Sequence, residues 1–252
     1  MTVRPWTFGP KELLEHAVGH LAKNTAFDCR IAMISVDNAV ELAIRTFLGL
    51  PKRVRGSDGP SRRQLEENGK VFPDLLDLLE EFGSNRLDEV SLGDLEGYHR
   101  LRNTLYHDGN GVTVDPVHVD SYIQIARVLL RNLLDISVDE PGTSPPHSSL
   151  GLLILKWGAF EQLLRRLAKC YLPKSKHEFG PALNIIDGLV AKQIIDGPFR
   201  SRVDKIAKLR NAAVHGVSIP TDAELRPLLI EIDQLQAILE RVPEPQLGQH
   251  RR

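Results

Sequence analysis

Residues 101–109, Leu-Arg-Asn-Thr-Leu-Tyr-His-Asp-Gly, are answered by residues 209–216, Leu-Arg-Asn-Ala-Ala-Val-His-Gly. His215 follows His107 by the same interval as Arg210 follows Arg102. On a helix Asn103 and His107 lie four apart and share a face, as do Asn211 and His215, and each Arg flanks that face. Gly109 and Gly216 come soon after the histidines, so each His is expected in a last helical turn, where the negative end of the dipole favours imidazolium. A single R-N-x-x-x-H arises by accident in roughly one chain of this length in a hundred. Two copies in register point to a duplicated helical unit.

Outward from the motifs, apolar residues recur at helical spacing and nowhere convincingly at a period of two. In the first half the pattern predicts helices over 11–23, 27–48, 72–82, 94–107 and a last one ending near 136. In the second half it predicts 150–172, 179–195, 199–215 and 221–241, punctuated by Pro173, Pro198 and Pro220. Ala39-Val40-Glu41 and Ala159-Phe160-Glu161 extend the repeat, each Glu followed four residues on by Arg45 or Arg165. Between the halves, VDEPGTSPPHSS at 138–149 is rich in Pro, Gly and Ser and reads as a linker. The expectation is therefore all-α: domains at 1–137 and 150–252, each a bundle of four to five helices, packed as an intramolecular pseudo-dimer.

Composition bounds the partners. The 252 residues hold 32 Lys and Arg against 33 Asp and Glu, a net charge of −1, so no global field draws the chain to nucleic acid or anionic membrane. Hydrophobic residues make up 42% and charged residues 26%, which excludes a disordered, collagen-like or coiled-coil chain. No apolar run approaches the roughly 20 residues that span a bilayer, and the opening MTVRPWTFGP has no apolar core of a signal peptide. Two cysteines, Cys29 and Cys170, form neither a disulfide framework nor a zinc pattern. A reducing, cytoplasmic setting is expected.

An Arg able to grip a phosphate in bidentate fashion, beside a His that titrates near neutrality, suits phosphodiester chemistry without a metal. The competing reading gives Asn and His to buried helix-end carbonyls and Arg to a bundle seam, which duplication preserves equally well. The R-N-x-x-x-H helix ending, followed by glycine in a small helical bundle, resembles the HEPN superfamily. Its signature is an Arg, four to six residues and a His, with a polar residue often next to the Arg. Both halves fit, at Arg102, Asn103, His107 and at Arg210, Asn211, His215, and more weakly at Glu41 and Glu161.

The resemblance implies a metal-independent endoribonuclease of toxin or antiphage defence, its site formed where two domains bring their motifs together. One His would take the ribose 2′-hydroxyl proton, the other would protonate the departing 5′-oxygen, and Arg102 and Arg210 would neutralise the phosphorane. RNA is the implied partner, with an antitoxin or regulatory protein and a second copy of the chain as further ones. HEPN toxins silenced by a nucleotidyltransferase antitoxin carry Tyr two residues after the His. Gly109 and Val217 stand there here, so that mode of silencing is not expected. The alternative is a non-catalytic HEPN module that binds RNA, a nucleotide or a protein.

Two basic clusters would hold the RNA backbone. Lys52, Arg53, Arg55, Arg62 and Arg63 fall in a Gly-, Ser- and Pro-containing stretch read as a mobile loop, and Arg200, Arg202, Lys205 and Lys208 lie on the second motif helix. His16, His20, His99, His118, His147 and His177 show no ligand spacing with Cys or carboxylate neighbours, so neither a metal nor a cofactor is expected.

Overall fold

A computed structural model describes residues 4–107, 113–138, 149–172, 182–214 and 218–243, and every regular element among them is helical. The first half contains α1 (Phe8–Leu21), α2 (Ala26–Gly49), α3 (Lys52–Arg55), α4 (Arg62–Asn68), α5 (Phe72–Gly83), α6 (Leu92–His107) and α7 (Pro116–Leu134). The second contains α8 (Ser149–Tyr171), α9 (Ala182–Ala191), α10 (Gly197–Val214) and α11 (Asp222–Glu240).

Local chemistry sets the ends. Thr25 caps α2 by accepting from the Asp28 amide, Asp115 caps α7 at the Val117 amide, and Thr221 forms a reciprocal capping box with Glu224 on α11. Asp135, in the left-handed region at φ 54°, stops α7. The stretch expected as a mobile loop is instead ordered into α3 and the start of α4. Ser61 and Gln64 form a second capping box there, and this pattern opens a helix directly after the Gly and Pro that suggested a loop. The helix expected over 179–195 ends at Ala191, and Gln193 turns the chain at φ 58°. Most of the expected linker, 139–148, lies outside the described residues.

α1 packs along α2, and α2 rests on α5, α6 and α7. α7 then meets α8, which packs on α9 and α11, and α10 touches α6 across the halves. A single cluster of buried apolar side chains runs from Leu14 to Leu239, so the halves share one core. Among the described residues, no helix is long and apolar enough to cross a membrane.

Glycine permits the close approach of the halves at α8. A Cβ at Gly158 would lie 2.4 Å from the Glu89 carbonyl oxygen, a backbone atom with no rotamer to move away. Gly158→Ala gains about 1 kcal/mol of helix propensity but forces an overlap of the kind that costs about 1–3 kcal/mol. A fall in the urea midpoint is expected, and a rise would show that the halves are not in close contact there.

Candidate active site

The first motif is held by three helices. Asp37 on α2 is fully buried, and its carboxylate accepts from the Tyr122 hydroxyl of α7 at 2.9 Å and from His99 Nδ1 of α6 at 3.0 Å. Arg102 joins the same carboxylate, its Nε 3.3 Å from Asp37 Oδ2. Its two terminal nitrogens donate to Asn103 Oδ1 at 2.9 Å and to Asn38 Oδ1 at 3.0 Å. The guanidinium is thus fixed in one orientation with its side chain 20% exposed. Burial pushes the Tyr122 phenol well above its usual range, with Asp37 adding to the rise, so the hydroxyl stays a donor. His99 stacks on Phe72 with ring centroids 4.1 Å apart.

The second motif repeats one contact and changes the rest. Arg210 donates to Asn211 Oδ1 at 2.7 Å, as Arg102 does to Asn103. Asp37-Asn38 precede Ala39-Val40-Glu41, and the same places before Ala159-Phe160-Glu161 hold Trp157-Gly158. The second half therefore has no carboxylate of its own under its Arg. Trp157 offers an aromatic face instead, 5.6 Å from the Arg210 guanidinium carbon to the ring centroid. The counter-charge comes from the other half: Asp94, fully buried in the first turn of α6, makes an ion pair with Arg210 Nη2. Arg210 is only 7% exposed. Burial pulls its guanidinium down to about 9, still above neutral pH, so the group is cationic there.

His107 closes α6, while its side chain and the whole of His215 lie outside the described residues. Described residues beyond the two motifs nevertheless border one cavity. Thr113 and Val114, after the first, and Ile219, after the second, line one cavity of about 620 Å³ together with Leu101. Its floor includes Asp115 and His118 at the start of α7 and Cys29 of α2. His118 is almost fully buried, and its Nδ1 has no hydrogen-bond partner among the described residues. Burial pushes the His118 imidazole down, Asp115 opposing, so it is held neutral. Nothing in the spacing of Asp37, His99 or Tyr122 marks them in the sequence; they come together through the crossing of α2, α6 and α7, while His118 lines the separate cavity.

The basic clusters are largely committed to neighbours. Arg55, expected to contact RNA, is buried and caps α2 by donating to the Leu48 carbonyl at 2.6 Å, because its helix folds back onto the end of α2. Arg62 pairs with Glu66 at 2.9 Å and Arg63 with Glu67 at 2.8 Å, one turn on in α4. Arg200 pairs with Asp187, Arg202 with Glu231 of α11 and Lys208 with Asp204. Arg53 and Lys205 are exposed and have no carboxylate partner among the described residues. No family model, curated protein or solved structure matches this chain.

Proposed function

We propose that the chain is an endoribonuclease of the HEPN type, cleaving RNA through its own 2′-hydroxyl without needing a metal, in toxin or antiphage defence. The observation in support is one cavity lined by Thr113 and Val114, which come after the first R-N motif, and by Ile219, which comes after the second. In this reading His107 and His215 exchange the roles of base and acid, and Arg102 meets the phosphate charge. A guanidinium held by Asp37, Asn38 and Asn103 is oriented before substrate arrives, which favours stabilisation of developing charge. Arg210 keeps its carboxylate and holds α10 to α6. DNA lacks the attacking hydroxyl, so selectivity for RNA follows from the chemistry.

The test is incubation of the full chain with mixed RNA in EDTA, reading both fragment ends. Expected products carry 2′,3′-cyclic phosphate and 5′-hydroxyl ends, whereas strict metal dependence or intact RNA refutes the proposal. A second reading, a non-catalytic module that binds RNA, a nucleotide or a protein, is favoured by the commitment of both guanidiniums to buried carboxylates. RNA retained but uncut in the same assay is its signature.

A further inference from the structure

A second cluster of side chains lies on α1 and α2 and includes no residue of either R-N motif. His16 and His20 stand one turn apart on α1, and their Nε2 atoms face each other at 3.2 Å. The rings meet edge to face, centroids 4.5 Å apart. Each ring is fixed from behind by the nitrogen that does not face the gap. His20 Nδ1 lies 2.7 Å from Asp28 Oδ1, and His16 Nδ1 lies 3.1 Å from Ser35 Oγ. Asp28 and Ser35 are both buried on α2, and Asp28 accepts in addition from the Thr25 hydroxyl at 2.5 Å.

A carboxylate opposite His20 Nδ1 favours a proton there, which leaves Nε2 as the nitrogen free to take a metal. With both imidazoles neutral, two bare Nε2 atoms at 3.2 Å would repel, and a proton on His16 Nε2 relieves this in the metal-free pair. Two imidazoles bound to one zinc-sized ion at 2.0–2.1 Å in tetrahedral geometry hold their nitrogens about 3.3 Å apart, close to the separation present here. The carboxylate behind His20 is the outer partner that orients a metal-bound histidine and raises its basicity.

We propose that His16 and His20 bind one divalent transition-metal ion of the zinc class through their Nε2 atoms, with Asp28 and Ser35 as the outer partners that aim the rings. Binding moves the His16 proton from Nε2 to Nδ1 by exchange with solvent, with no net release, and the Ser35 hydroxyl, which both donates and accepts, rotates to receive it. Nitrogen donors select zinc, nickel or copper over calcium or magnesium. Among the described residues no group of three His, Cys or carboxylate ligands forms, so in this proposal the two histidines are the protein ligands and water completes the coordination. Lys23 approaches the same Asp28 oxygen at 3.6 Å with its side chain 59% exposed. The site is independent of the ribonuclease reading, since neither histidine belongs to a motif.

Zinc titration of the untagged full chain, followed by calorimetry and by long-range ¹⁵N NMR of the imidazoles, tests it without RNA. One ion per chain is expected, with the Nε2 signals of His16 and His20 shifting together and the other histidines unmoved. His16→Ala, at an exposed position, and His20→Ala, at a half-buried one, should each abolish saturable binding, with circular dichroism showing the fold intact. Asp28→Asn, which keeps the side-chain shape, should weaken binding about 10–100-fold. Absence of saturable binding, shifts confined to other histidines, or equal affinity in His20→Ala overturns the proposal. RNA cleavage that persists in EDTA leaves this outcome untouched, so the two readings fail separately.

Discussion

Arg102→Ala is expected to slow RNA cleavage by about 10²–10³-fold, the loss typical of removing one preorganised electrostatic donor from a transition state. Its guanidinium is the more exposed of the two motif arginines and is held in place by Asp37, Asn38 and Asn103. Removing it leaves Asp37 with two donors, His99 and Tyr122, so the bundle should remain folded while the rate falls. Arg102→Lys separates charge from shape: it restores a cation beside Asp37 but not the planar fork that grips a phosphate. Stability close to wild type with a rate near that of Arg102→Ala is the expected pair of results. Cleavage at the wild-type rate in Arg102→Ala, with circular dichroism showing an intact fold, would remove this residue from the mechanism.

Asp94→Ala acts on folding. It strands the Arg210 guanidinium in the interior, facing Trp157 and its own Asn211, and breaking one side of a buried ion pair costs about 3–5 kcal/mol. Urea denaturation should show the whole of that loss as an earlier midpoint with little change in slope, since the same surface is exposed on unfolding. The double variant Asp94→Leu with Arg210→Met replaces the pair by apolar groups of similar size and should recover most of the stability. It would also report on function, because a folded double variant that still cleaves RNA shows that Arg210 acts as a fastener. A cost below about 1 kcal/mol for Asp94→Ala would place the pair among exposed ones instead.

The two motifs are alike in sequence and unlike in surroundings. Arg-Asn stands near the end of both α6 and α10, and both arginines donate to the neighbouring Asn. What lies beneath differs: Asp37-Asn38 hold the first Arg, whereas Trp157-Gly158 stand in the second half and admit the Glu89 backbone. That difference explains why Arg210 looks to Asp94 in the other half for its counter-charge.

The basic clusters show how a charge run misleads in one dimension. Arg62 and Arg63 read as phosphate contacts along the chain, yet Glu66 and Glu67 are one helical turn away and meet them first. That pairing was legible from i,i+4 spacing once α4 was recognised, and the Ser61–Gln64 capping box was the signal that announced it. His16 and His20 also stand at i,i+4 in the sequence, but spacing alone does not aim two rings at one point. Asp28 and Ser35 do so from a neighbouring helix.

Apolar spacing and caps determined on their own that the chain folds as helices, and the sequence alone shows Arg-Asn-x-x-x-His twice, because these are properties of single helices with a fixed period. Which carboxylate answers which arginine, that Arg55 turns inward to cap α2, and that the segments after both motifs border one cavity were decided by how α2, α6, α7, α8 and α10 cross. Helix crossings join residues tens of positions apart, and no local periodicity records them.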